Sequence, residues 1–147
     1  MTVLALDLGT KTGWCIDPIA HGVWDLKPGR YEGGGMRFVR FRSFLEAAIP
    51  LMGAQIVYEE VRAHKGVDAA HIYGGLMATL QAWCEVRQIP YTAVPVGTIK
   101  KYWAKNGAAS KDLMLLSGKA KGFEVSDHNE MDAIALWHYW RDHGAMS

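Results

Sequence analysis

Acidic residues stand where three apolar runs of this chain end or begin: Asp7 after Val3-Leu4-Ala5-Leu6, Glu59-Glu60 after Ile56-Val57-Tyr58, and Asp132 before Ala133-Ile134-Ala135-Leu136. A carboxylate beside a packed apolar surface is costly unless something compensates its charge. Carboxylates that converge from separate elements form an all-oxygen cage, which suits a hard divalent cation such as Mg²⁺ or Mn²⁺. Before Asp132 the chain reads Ser126-Asp127-His128-Asn129-Glu130-Met131. In a helix starting there, Asn129 shares a face with Asp132 at i, i+3, and His128 stands at i, i+4. Plainer roles compete: Asp7 can cap a turn, and Asp127 with Glu130 has the spacing of a capping box. Glu59 and Glu60 alternate across their strand, so only one can join Asp7, and the pattern leaves open which.

The elements that must position these acids follow from periodicity. Val3–Leu6 reads as a buried strand stopped by the turn residues Gly9, Thr10 and Gly13. Trp14–Ile16 and Val23-Trp24 read as two further strands, bounded by Asp17-Pro18 and His21-Gly22, which predicts an antiparallel meander. Phe38, Phe41, Leu45 and Ala48 recur at helical spacing, so a helix runs from about Met36 until Pro50 ends or kinks it. Ile56–Tyr58 is a fourth strand, and a long helix follows from near Asp68 to Gln88, with Ile72, Leu76, Leu80 and Trp83 on one stripe. Tyr91–Val94 is a fifth strand. A short helix from Gly97 to Lys105 is broken by Asn106-Gly107, Ser110 can cap the next helix, and a last helix spans about His128 to Arg141. The order predicts one α/β domain over residues 1–147, with a five-stranded mixed sheet and helices on both faces.

Length and composition agree with a single domain: 147 residues, 50% hydrophobic and 21% charged, with a net charge of +1. No apolar stretch is long enough to span a membrane and the N-terminus lacks a secretory pattern, which predicts a cytoplasmic protein. Cys15 and Cys84 lack metal-ligand spacing and read as reduced core thiols. Charge is local rather than global. Lys100, Lys101, Lys105, Lys111, Lys119 and Lys121 form a cationic stripe broken only by Asp112, and Arg37, Arg40 and Arg42 lie among Phe38, Phe41 and Phe44. Such residues usually form solvated helix faces. Beside a metal cage they gain weight, because a phosphodiester substrate needs both. Trp83, Trp137, Trp140 and His138 read as packing residues.

The segments Val3–Trp14 (VLALDLGTKTGW), Ile56–Val61 (IVYEEV), Pro95–Lys101 (PVGTIKK), Asn106–Lys111 (NGAASK) and Asn129–Leu136 (NEMDAIAL) occur in one order along the chain. In that order they resemble the RuvC-type Holliday-junction resolvases, particularly the shorter phage-like members of the RNase H-like superfamily. The resemblance implies an RNase H-like sheet of three antiparallel strands followed by two parallel ones. It implies catalysis by Asp7, Glu59 and Asp132 as metal ligands, with Glu59 preferred over Glu60 and Lys111 near the scissile phosphate. Asn129 stands at a position that is acidic in many relatives, and can still ligate through its amide oxygen with less charge. Lys100, Lys101, Lys105, Lys111 and Arg62 become the DNA contacts, Arg62 standing where relatives carry an aromatic wedge. The long helix from Asp68 becomes a dimer face, with Gly74-Gly75 permitting close helix approach.

The implied reaction is two-metal hydrolysis of phosphodiesters in branched DNA, chiefly four-way junctions, by paired nicks. It uses Mg²⁺, with Mn²⁺ substituting, in a homodimer acting in a bacterial or phage-infected cell. Other classes remain. A flap or general branched-DNA endonuclease would use the same cage. A non-catalytic DNA-structure binder would use the lysines without metal. A nucleotide-binding module of the sugar-kinase type would use the Gly9 turn for phosphates, but those proteins need two such domains.

Overall fold

The computed structural model describes residues 1–17, 19–49 and 53–144. In chain order the elements are β1 (Thr2–Asp7), β2 (Lys11–Asp17), β3 (Ala20–Asp25), α1 (Met36–Ala48), β4 (Ala54–Glu60), α2 (Val67–Arg87), β5 (Tyr91–Pro95), α3 (Val96–Ala104), α4 (Lys111–Ala120) and α5 (His128–His143). The sheet order is β3-β2-β1-β4-β5. β1–β2 and β2–β3 pair antiparallel, whereas β1–β4 and β4–β5 pair parallel. This is the mixed five-stranded arrangement that the order of apolar runs predicts.

β1 is buried along Val3–Leu6 because both faces of the sheet are covered. Val3, Ala5, Val57 and Val94 pack with α3, α4 and α5 on one face. Leu4, Leu6, Ile56 and Tyr58 pack with α1 and α2 on the other. The helical stripes supply Phe41 and Leu45 from α1 and Leu76 and Leu80 from α2, all wholly buried. Each such side chain contributes roughly 1.5–3 kcal/mol relative to exposure. Cys15 and Cys84 are free and buried in the core, and Trp83, Trp140 and His138 are buried as well. Among the described residues no helix is long and apolar enough to cross a membrane.

Two boundaries depart from expectation. β2 begins at Lys11, so Gly13 lies inside a strand, paired with Asp7 and Val23, rather than in the turn. The turn is confined to Leu8–Thr10 and held by the Thr12 hydroxyl, which donates to the Gly9 carbonyl at 2.7 Å. His21 and Gly22 are not a turn either. They belong to β3, where His21 pairs with Cys15 and Gly22 with Trp14. The tight glycine of α2 is spent within the chain: an added Cβ at Gly75 would meet the Phe38 ring at 2.6 Å, whereas Gly74 has nothing within 4 Å. Pro18 and Pro50, read as a turn residue and a helix stop, lie outside the described residues.

Candidate metal centre

Strand register selects the acids. Ala5 pairs with Val57 and Leu6 with Tyr58, so one more step along the parallel pair sets Asp7 beside Glu59. Side chains alternate, which puts Asp7 on the face of Val3 and Ala5 and Glu59 on the face of Val57. That face is the one α5 covers. Glu60 falls on the other side of β4, where its carboxylate pairs with Arg62 at 3.0 Å.

α5 delivers the third acid. Asp127 caps the helix, its carboxylate accepting from Asn129 N–H at 2.8 Å and Glu130 N–H at 3.1 Å. The capping box is only half formed, because Glu130 turns away to meet His21 Nδ1 at 2.6 Å. With Met131, Ala133, Ile134, Ala135 and Leu136 buried against the sheet, Asp132 is carried to the strand ends. One carboxylate oxygen from each of Asp7, Glu59 and Asp132 lies within 4.8 Å of the other two.

Such a cluster resists full ionisation. Burial, then the charges of Glu59 and Asp132, hold the Asp7 carboxyl well above the usual carboxylate range. Burial also raises Glu59, against the hydrogen bond from Asp7 and the charge of Lys100. Asp132 is pushed up to about 7, first by burial and then by Glu59, with Lys100 and Lys111 opposing. None of the three forms a salt bridge within 4.0 Å among the described residues. An all-oxygen donor set, with Glu59 buried and Asp7 and Asp132 half-buried and no salt-bridge partner among the described residues, fits a hard divalent cation.

The carboxylates open into a cleft of about 510 Å³ that is also lined by Gly9, Thr10, His64, Lys65, Tyr73, Lys111, His128 and Asn129. Asn129 and Lys111 thus share the cleft with the acids. Burial and the Lys111 charge hold the His128 imidazole below its usual range. Lys100, in α3, is close enough for its charge to act on Glu59 and Asp132. Lys101 on α3 and Lys105, the residue that follows the helix, are exposed. Arg62 lies outside the cleft, in a separate groove with Glu60, Pro95 and Gly97. Lys121 leaves the cationic stripe, its ammonium donating to the Trp103 carbonyl at 2.9 Å and lying over the Trp103 ring.

Some residues escaped the sequence reading. Tyr73 donates its hydroxyl to the Glu59 carbonyl at 2.8 Å and accepts from Val61 N–H at 3.1 Å, tying α2 to the end of β4. His64 packs on the Tyr73 ring with centroids 4.9 Å apart. Tyr73 follows Ile72, which the stripe reading did use, and its buried hydroxyl was the overlooked signal, since such a group needs partners. His21 was hidden by its assignment to a turn.

No protein-family model matches the sequence, and no curated protein matches it. Solved structures do. RuvC of T. thermophilus, in a structure described as a complex with Holliday junction substrate, superposes with a TM-score of 0.72 at 19% identity, covering 98% of this chain and 97% of that one. A second structure, of Thermus thermophilus RuvC, gives a TM-score of 0.70 at 18% identity over 97% and 96% of the two chains. The chain therefore has a RuvC-type, RNase H-like fold, matched over nearly its whole length.

Proposed function

We propose that this chain is a metal-dependent, structure-specific endodeoxyribonuclease that resolves four-way DNA junctions by paired nicks. The observation that carries the reading is the meeting of Asp7, Glu59 and Asp132, from β1, β4 and α5, with carboxylate oxygens within 4.8 Å of one another. A RuvC-type fold and the junction bound by a solved relative support the choice of branched DNA over other phosphodiesters.

In this reading Asp7, Glu59 and Asp132 hold two divalent ions, Mg²⁺ or Mn²⁺, and Asn129 adds its amide oxygen. When bound, such ions lower the pKa of a coordinated water and stabilise charge on the departing 3′ oxygen. Asp7, whose carboxyl meets both Glu59 and Asp132, would serve as a ligand together with each of them. Lys111 stabilises charge on the scissile phosphate, an effect worth most where water is excluded. Lys100 balances the acidic cluster, while Lys100, Lys101, Lys105 and Arg62 contact the phosphate backbone. A two-fold dimer through α2 would offer one cleft to each of two opposed strands.

The test is cleavage of end-labelled four-way junction, flap and linear duplex with Mg²⁺, with Mn²⁺ and with chelator. Paired, symmetrical nicks confined to the junction and abolished by chelator are expected. Cleavage of flaps alone would reassign the substrate, and metal-independent binding without cleavage would leave a DNA-structure binder.

A further inference from the structure

Asp132 and Asn129 reach the cleft only if the first turn of α5 lies close against β2 and β3, and two features there serve that end. The first is a gap in the sheet. Gly13 stands in the rung Asp7–Gly13–Val23, and a Cβ at this position would overlap the carbonyl group of Asn129 and crowd Glu130 N. The second is the contact between His21 Nδ1 and Glu130 Oε2 at 2.6 Å, which joins β3 to α5 across 109 residues of sequence. His21 sits in the next rung on the same face, Ala5–Cys15–His21. The imidazole and carboxylate are mostly shielded, with side-chain exposures of 21% and 19%. The His21 ring also meets the edge of Phe123 at 6.4 Å between centroids, which restrains its orientation.

Glu130 lies between Asn129 and Asp132 in sequence yet is turned toward β3, about 100° round the helix from Asn129. Released from His21, it would be one more acid free to swing about the opening turn of α5. We propose that His21 is a positioning residue for the metal centre: by fastening Glu130 to β3 it fixes the rotation and height of the first turn of α5, so that Asn129 and Asp132, and not Glu130, face Asp7. The inference rests on the proposed metal-binding role of the acids.

The test reads metal binding without DNA, by calorimetric titration of Mn²⁺ into the purified chain. His21→Ala should weaken Mn²⁺ affinity by about tenfold or more, the usual effect of losing a group that orients metal ligands. His21→Asn, whose amide nitrogen can stand near the position of Nδ1, should restore most of it. Glu130→Ala should match His21→Ala, and the double variant should lose no more than either single one, because both remove the same bond. Leu80→Val, in the core on the opposite face, should lower the melting temperature and leave Mn²⁺ affinity unchanged, which separates positioning from general stability. If His21→Ala and Glu130→Ala bind Mn²⁺ as the parent does, or if their losses add, the tie is refuted while the metal centre stands. If His21→Ala does not fold, Glu130→Ala and His21→Asn decide the matter: unchanged affinity in the first or loss in the second refutes it. If the parent itself binds no Mn²⁺, both the tie and the proposed function fall.

Discussion

Replacing Asp7 by Asn should make the metal-free protein more stable while removing its response to metal. Two unit charges 4.8 Å apart, at an effective dielectric constant of about 20, repel by roughly 3 kcal/mol. Asp7 faces Glu59 and Asp132 at or inside that distance, and its own burial adds to the penalty for ionisation. An amide removes the repulsion and can donate to both remaining carboxylates. Allowing for partial protonation of the cluster, the net gain at pH 8 is about 2 kcal/mol, or about 4–8 °C in a domain of this size.

The same reasoning fixes a pH dependence. Asp7, Glu59 and Asp132 all titrate higher in the folded chain than their ordinary values, Asp132 at about 7. Across the window from the ordinary carboxylate range up to about 7, the folded state therefore binds more protons than the unfolded one. Through these three acids the metal-free protein loses stability as pH rises in that window, opposed by His128 and His138, which burial holds below their ordinary range. Calorimetric melting in chelator at pH 5 to 8 should show this fall in the parent and a flatter profile in Asp7→Asn. Saturating Mn²⁺ should raise the parent's melting temperature most at the alkaline end and leave the variant unmoved. An Asp7→Asn protein that melts below the parent in chelator at pH 8, or a metal-free parent that loses no stability relative to Asp7→Asn as pH rises, would refute the argument.

Glu59→Gln should reduce metal-dependent cleavage by about a hundredfold or more, whereas Glu60→Gln should stay within a few-fold; single-turnover rates on junction DNA decide between the two glutamates. Tyr73→Phe leaves the Glu59 carbonyl and Val61 N–H without their partner, so chemical denaturation should report a loss of about 1–3 kcal/mol, and Mn²⁺ affinity should fall with it. Gly13→Ala, by displacing α5 from β2, should abolish calorimetric Mn²⁺ binding even in preparations that keep a native-like far-ultraviolet circular dichroism spectrum.

The central strands β1 and β4 were legible because both faces of the sheet are covered there, so each is an apolar run rather than a weak alternation. The helices were legible from stripes such as Phe41–Leu45 and Leu76–Leu80, now seen in the core. Asp7, Glu59 and Asp132 were legible as acids at the ends of those runs, but periodicity could not separate Glu59 from Glu60. Register did so, through the pairing of Ala5 with Val57, and register is a long-range property that a local pattern does not carry. The β2 and β3 boundaries were misread for a related reason. Gly13 and Gly22 look like turn residues in isolation, yet Gly13 is required by a helix more than a hundred residues away. Misplacing that boundary also concealed His21. Lys121 looked like a solvated cation because nothing local announces its bond to the Trp103 carbonyl.

The glycine in the middle of β2 has a wider consequence. At that point main chain rests on main chain, with only an α-hydrogen between strand and helix. No rotamer can relax there, so the spacing is set by covalent geometry and not by how neighbouring methyl groups interlock. Enlarging or trimming Met131 or Ile134 would then alter resistance to unfolding far more than the distance separating the acids, since the spacer is the peptide backbone itself. Stability and the geometry of the acid cluster can drift independently in such a scaffold, provided that one site remains without a side chain.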